Sequence, residues 1–339
     1  MYYICRMNIN TKLDDMKHIA IVAGGDSSEV VVSLKSAQGI KSFIDETKYK
    51  TTIVTIIGDE WLAKVSETKS YVIDKNDFSY TINGEKQKFD FAYITIHGTP
   101  GENGILQGYF DLIGLKYSCC GVLAAALSFN KFACNQYLKN FGANVADSML
   151  ISAGENVEPA QVVEKLGLPC FIKSNVGGSS FGVTKVKEES QILPAIEKAL
   201  AEGGDVIIES FLKGTEITCG MYKTHEKTVV FPITEVVPEN EFFDYDAKYN
   251  GQVSEITPAR ISDELTKKVQ ELTKKYYDIL GCKGIVRIDY IITEDGVPHV
   301  LEANTTPGMT PTSFIPQQVR AAGIDIKDVM SDIIENKLN

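Results

Sequence analysis

The segment RIDYIITEDGVPHVLEANTTPG, Arg287 to Gly308, sets an arginine, an aspartate, a glutamate and an asparagine on two short apolar strands. Between them, Asp295-Gly296 carries a tight-turn signal, because that pair tolerates the positive backbone angles a hairpin needs. With these two residues at the tip, 294 pairs with 297, and counting outward sets Asp289 opposite Glu302 and Arg287 opposite Asn304. Side chains alternate along strands, so these four share one face while Ile288, Tyr290, Leu301 and Ala303 take the other. Two carboxylates and an amide beside one cation are expensive to pack dry. A magnesium ion sharing its shell with phosphate oxygens would resolve the repulsion, and the pattern then reads as a metal-phosphate platform. The hairpin alone fits an exposed face with an ordinary cross-strand ion pair better.

Other stretches add chemistry. In KSNVGGSSFG, Lys173 to Gly182, a lysine ends one strand and a Gly-Gly-Ser-Ser turn precedes the next. Such a turn can bring backbone N–H groups against phosphate oxygens, or it is simply a flexible hairpin loop; the lysine tilts the balance toward phosphate. It is no P-loop, since GxxxxGK[ST] is absent. GGDSSE, Gly24 to Glu29, lacks the full GxGxxG fingerprint, and Glu29 at a helix start is either a cap or a clamp for an ammonium group, the cap being the commoner role. His97 ends a strand, where a histidine acts as acid or base or, more often, as a structural hydrogen-bonding group. Glu209 and Glu216, with Phe211 and Leu212 between them, suit an adenosine's amino and hydroxyl groups, although solvated turn carboxylates would look the same. Lys248 and Tyr249 stand in PENEFFDYDAKYNG, a long aperiodic stretch of the kind that forms lids.

Alternating runs surround these residues. Strands are expected at Lys17 to Ala23, Thr52 to Ile57 and Phe91 to Ile96 with a helix from Ser33 to Phe43, an α/β domain whose ligands sit past the strand ends. Helices Val122 to Phe129 and Lys131 to Phe141, strands Cys170 to Lys173, Val183 to Val186 and Asp205 to Leu212, and a helix from Ser190 to Ala201 make a second region. A third holds strands near Glu216 to Tyr222 and Val229 to Val237, a helix from Asp263 to Leu280, the hairpin, and helices Ser313 to Ala322 and Ile326 to Asn336. The division expected is an extension over 1–16 and domains over 17–120, 121–210 and 211–339, two or three domains being what 339 residues support.

A net charge of -11 argues against nucleic-acid or anionic-membrane partners, which need a basic surface. Seven cysteines without a CxxC pair read as reduced, mostly buried thiols of a cytosolic protein. No run approaches a membrane span.

Taken together, GGDSSEVVVSL, HGTPGENGILQG, LSFNK, KSNVGGSSFGVTK, YDAKY, GIVRIDY and LEANTTPGMTPTS, in this order, resemble the D-alanine:D-alanine ligases of the ATP-grasp superfamily from Lys17 to the last helix. The resemblance implies an α/β, three-domain ATP-grasp fold with a Rossmann-like N-terminal domain. It implies ATP and two D-alanines as substrates, ligation through an acyl phosphate for peptidoglycan precursors, and two magnesium ions, for which manganese substitutes. By position it puts Lys131 and Lys173 on ATP phosphates and Glu209, Leu212 and Glu216 around adenosine. Asp289, Glu302 and Asn304 fall on the metal positions, and Arg287 and the Gly308 N–H on the oxyanion. Glu29 matches the clamp for the first ammonium, linked through Ser179 to Tyr249 on a lid; Lys248 and Ser313 match positions that bind the second substrate's carboxylate, and His97 and Phe314 count among the substrate-binding positions. Tyr249 is the feature that favours an amine nucleophile over D-lactate, and a homodimer is expected. Departures are Val30-Val31 where Arg-Glu is usual, Thr99-Pro100 beside His97, Ser174 in place of proline, which would loosen its loop, and Gly177 in place of glutamate. A D-serine or D-lactate ligase and a non-catalytic nucleotide-binding regulator are the alternatives; the intact Arg287, Asp289, Glu302 and Asn304 speak against the regulator.

Overall fold

The computed structural model describes residues 16–178, 182–238 and 253–338. Strand Lys17–Gly24 is buried from its second residue on, as its unbroken apolar run requires of a strand covered on both faces. It pairs in parallel with Tyr49–Ile57 on one side and Phe91–Ile94 on the other. Lys116–Tyr117 extends the sheet in parallel, while Glu60–Lys64 and Ser70–Val72 add antiparallel strands at the opposite edge. Ile19, Ile21 and Ala23 pack toward helix Val30–Phe43 and the C-terminal helices, and Ala20 and Val22 pack toward Phe78, Phe89 and Phe110. The helix begins at Val30, earlier than expected, because the β-branched run Val30-Val31-Val32 reads locally as extended. The two antiparallel edge strands escaped notice because they are short and mostly exposed.

The second sheet is antiparallel in the order Thr184–Val186, Cys170–Ser174, Val206–Ser210, Ser148–Ile151. Helices Pro159–Leu166 and Ile192–Leu200 cover one face over Cys170, Ile172, Val206 and Ile208. Alternation therefore turns Phe171, Lys173 and Glu209 to the open face. Strand Ser148–Ile151 and helix Pro159–Leu166 were not anticipated.

The third sheet runs Val253–Ile256, Thr234–Pro238, Gly214–Lys223, Val286–Thr293, Pro298–Asn304, with Thr228–Val230 paired to Gly214–Lys223. The expected strand Val229 to Val237 is thus two strands. Helices Val122–Phe129, Lys131–Lys139 and Asp263–Ile279 cover its back through Ile217, Cys219, Ile288 and Tyr290. Six described cysteines are free and buried. Among the described residues, no helix is long and apolar enough to cross a membrane.

Candidate active site

The open faces of the second and third sheets meet at a cavity of about 830 Å³ floored by turns of the first domain. The hairpin supplies much of one wall. Asp289 pairs with Glu302 and Arg287 with Asn304, as counted from the sequence, but by a different route. The turn is one residue longer than expected: Gly296 N–H donates to Thr293 O, Thr293 N–H donates to Val297 O, and Ile292 pairs with Pro298. That closure would set Asp289 against Leu301. A bulge between Asp289 and Tyr290 absorbs Leu301 and restores the pairing. The expectations that 294 pairs with 297 and that Leu301 lies on the core face are therefore corrected: Leu301 lines the cavity beside Glu302.

The charges on this face are also balanced differently from the expectation that a metal must offset them. Arg287 donates from Nε to Asp289 Oδ1 and from Nη2 to Oδ2, both at 2.8 Å, in a bidentate pair. Thr218 Oγ1 donates to Oδ1 at 2.6 Å and Asn304 Nδ2 to Oδ2 at 3.0 Å, so Asp289 is fully satisfied. Glu302 faces Lys131, with Nζ 3.2 Å from Oε2. Burial alone would raise the Glu302 pKa, but Lys131, Lys173 and Arg287 together hold it at about 2. Burial likewise opposes the charge on Lys131 and Arg287, yet Glu302 and Asp289 respectively outweigh it and raise both. Arg287 is further fixed by the ring of Phe314, whose centroid lies 5.1 Å from the guanidinium carbon. The alternative of an exposed face with a surface ion pair is excluded, since Arg287 and Asp289 are both buried.

On the facing wall Lys173 Nζ lies 2.6 Å from Glu209 Oε2, both side chains buried, while Leu212 and Glu216 line the cavity beyond. Lys131 opens a helix capped by Asn130, whose side chain accepts from Ala133 N–H. The same turn is stitched to the glycine-rich loop: Lys131 N–H donates to Asn175 O, Phe132 N–H to Asn175 Oδ1, and Lys131 Nζ to Gly177 O at 2.7 Å. Gly177 has φ +143°, a conformation a glutamate would adopt only with strain, which accounts for that departure. Ser174 does not loosen the loop, contrary to expectation. Its Oγ lies 2.6 Å from Val176 O and 3.0 Å from Gly203 O and pins the loop to the next turn.

Glu29 occupies the N-cap position of helix Val30–Phe43 without a side-chain cap bond, so the capping role is not the one adopted. Its carboxylate reaches the glycine-rich loop instead, where a Cβ on Gly178 would stand 2.3 Å from Oε2. His97 is buried at a strand end; the next two residues, Gly98 and Thr99, line the cavity. Gly308 abuts Ser313, whose Oγ accepts from Thr310 N–H and lies 2.8 Å from Thr310 Oγ1. Ser179, Lys248 and Tyr249 lie outside the described residues. The structure explains nothing about Val30-Val31.

Three participants escaped the sequence reading. Asn135 Nδ2 donates to Leu301 O at 3.3 Å and lies 3.5 Å from Glu209 Oε1, linking the two walls; its spacing of four from Lys131 on one helix was the available signal. Thr218 holds Asp289, being two residues from Glu216 on the same strand face. Glu102, inside the HGTPGENG stretch, is a half-buried carboxyl raised to about 7 by loss of hydration and by the nearby Glu29.

The donors on the hairpin fit a hard cation. Carboxylate and amide oxygens are what magnesium takes; Glu302 opens onto the cavity with Asp289 opposite it and Asn304 two residues on, and Asp289 would exchange one of its present partners for the ion.

A cleft gripped between two antiparallel sheets, with lysines on both walls and an acidic hairpin at its end, defines an ATP-grasp protein. A family model described as "D-ala D-ala ligase N-terminus" matches residues 18–120, and one described as "D-ala D-ala ligase C-terminus" matches 137–335. The D-alanine--D-alanine ligase of Bacteroides fragilis is 66% identical over 95% of this chain and 99% of its own. Among solved structures, the VanG D-Ala:D-Ser ligase of Enterococcus faecalis superposes with a TM-score of 0.84 at 29% identity, covering 95% of this chain and 100% of that one. The D-alanine--D-alanine ligase of Bacillus anthracis complexed with ATP gives 0.75 at 30% identity, covering 96% and 97%. The chain belongs to the D-alanine–D-alanine ligase family.

Proposed function

We propose that this chain joins two D-alanine molecules into D-alanyl-D-alanine at the expense of ATP, in the cytoplasm, for peptidoglycan precursor synthesis. The observation that carries it is the convergence of Lys131, Lys173 and Arg287 with Asp289 and Glu302 around one cavity between two sheets. These three cations, drawn from both walls and each paired with a carboxylate, are the groups that can turn to an anionic ligand in a protein whose overall charge would repel it.

In this reading Lys131 and Lys173 hold ATP phosphates, and Glu209, Leu212 and Glu216 bind adenosine. Lys173 must then exchange part of its contact with Glu209 for phosphate. Asp289, Glu302 and Asn304 would hold magnesium, or manganese in its place, which when bound neutralises phosphoryl charge. A carboxylate oxygen of the first D-alanine, its ammonium against Glu29, attacks the γ-phosphorus and ADP leaves. The amine of the second D-alanine then attacks the acyl carbon. Arg287 and the Gly308 N–H stabilise the oxyanion, the nitrogen loses a proton, and phosphate departs. Lys248 and Ser313 are assigned to the second substrate's carboxylate and His97 and Phe314 to substrate binding, with Phe314 acting by seating Arg287. Ser179 and Tyr249 complete the lid that keeps water from the acyl phosphate.

The sheets fall within 17–120, 121–210 and 211–339, which supports that division for the sheets, whereas helices Val122–Phe129 and Lys131–Lys139 pack on the third sheet and the C-terminal helices on the first. A homodimer is proposed through the exposed stripe Ile105, Gly108 and Leu112 beside Val122 and Leu123.

The test offers D-alanine, D-serine and D-lactate together with ATP and magnesium and identifies products by mass spectrometry. D-alanyl-D-alanine as the main product, with ADP released only when D-alanine is present, is expected. A mixed dipeptide or depsipeptide as main product moves the chain to the D-serine or D-lactate ligases, and ADP release indifferent to D-alanine rejects the proposal.

A further inference from the structure

Glu102 lies outside the residues assigned above, yet it stands half-buried among them. Its Oε2 accepts from Gly98 N–H at 2.7 Å, and its Oε1 accepts from Thr306 Oγ1 at 2.7 Å. Glu29 lies close enough to disfavour its charge, and Lys131 and Arg287 both sense it. A carboxyl drawn partly out of water beside a second carboxyl is costly to ionise, and its two hydrogen bonds are what offset that cost.

Thr306 stands two residues before Gly308, in a loop, residues 305–313, without regular secondary structure. No ladder of backbone bonds sets where Gly308 stands, so side-chain anchors must do so. One is the Glu102–Thr306 bond, and a second is Ser36 Oγ, which accepts from Met309 N–H at 3.3 Å. These two belong to the first domain and grip the chain on either side of Gly308; Thr306 Oγ1 also lies 3.5 Å from Ile96 O, and Thr305 Oγ1 lies 3.4 Å from Ser128 Oγ of helix Val122–Phe129. Arg287, the other oxyanion group, is fixed by the third sheet and by Phe314. The two halves of the oxyanion site thus hang on different domains, and Glu102 ties one to the turn after His97.

We propose that Glu102 is a positioning residue which, through Thr306, sets the Gly308 N–H at the point where the oxyanion forms opposite Arg287. This rests on the ligase reading above. Glu102 touches no substrate; it acts on the loop.

The experiment compares Thr306→Val, which keeps shape and loses the hydroxyl, with Thr306→Ser, which keeps the bond to Glu102. Measured are kcat, the KM for ATP, the melting temperature, and inhibition by a dipeptide phosphinate that mimics the tetrahedral intermediate. Thr306→Val is expected to lose about tenfold or more in kcat and in phosphinate affinity, with ATP KM and melting temperature near the wild type, and Thr306→Ser to recover most of both losses. Should the valine variant not fold, Glu102→Ala read against Glu102→Gln makes the same comparison, with alanine the impaired variant. Wild-type phosphinate inhibition in Thr306→Val, an equal impairment in Thr306→Ser, or a loss shared by ATP binding and melting temperature overturns the proposal. Absence of D-alanine-dependent turnover in the wild-type chain overturns the ligase reading and this inference with it.

Discussion

Lys131 shows how one side chain can serve structure and chemistry. Its backbone N–H ties the helix start to Asn175, and its ammonium holds Glu302 and Gly177 O. The pair with Glu302 is not by itself a stabilising device, because two buried charges lose hydration that their attraction only partly returns. In the proposed reading it preorganises two groups for opposite partners, phosphate and metal. Removing the carboxylate should therefore cost more in activity than in folding. Glu302→Ala is expected to lower D-alanine-dependent ADP formation by about a thousandfold or more, while the purified variant still melts cooperatively. Near-normal turnover in a folded Glu302→Ala protein would remove the metal assignment.

At the scale of elements, the hairpin was legible for a reason that was partly wrong. The Asp-Gly signal and strand alternation placed four functional side chains on one face correctly, because a longer turn and a bulge at Leu301 offset each other. Bulges have no local composition signal, so no count from the turn could find this one. The acidic face also proved self-compensated by Arg287 and Lys131, since Lys131 arrives from a helix more than 150 residues upstream in the chain. Runs such as Lys17–Gly24 were legible because burial on both faces leaves mainly apolar residues; short, half-exposed strands such as the edge strand Ser70–Val72 were not. The first sheet also contains its own acid sensitivity. His18 is buried, with Nδ1 3.0 Å from Lys88 O and Nε2 2.9 Å from Thr52 Oγ1, and burial, assisted by Lys50, lowers its pKa to about 4. Its folded pKa lies below the unfolded value of about 6.5, so the stability it contributes is present above that value and is lost as pH falls toward 4. The full loss is roughly 3 kcal/mol. Melting curves from pH 7 to 4 should fall less steeply for His18→Gln than for the wild type. Parallel curves would show that His18 does not titrate this way.

At the scale of the whole molecule, the described residues form three large sheets that have little reason to share an active site except the cavity between them. Each contributes what the others lack: the first domain brings Glu29 and Glu102, the second Lys173 and Glu209, and the third the Arg287–Asn304 hairpin. Which residues would meet across this cavity was beyond local patterning, and motif order carried it instead. The apolar stripe of Ile105, Leu112, Val122 and Leu123 is left uncovered by this arrangement, and burying it against a second copy should make the chain dimeric. Light scattering is expected to give a dimer for the wild type and a monomer for Leu112→Glu combined with Leu123→Glu; equal masses would place any dimer contact elsewhere. The central claim is that a D-alanine carboxylate oxygen attacks the terminal phosphate of ATP within this cavity. Turnover of D-alanine labelled with ¹⁸O in its carboxylate, followed by mass spectrometry of the phosphate released, tests it directly. One labelled oxygen in each phosphate is the result predicted, and phosphate carrying no label while dipeptide accumulates would contradict it.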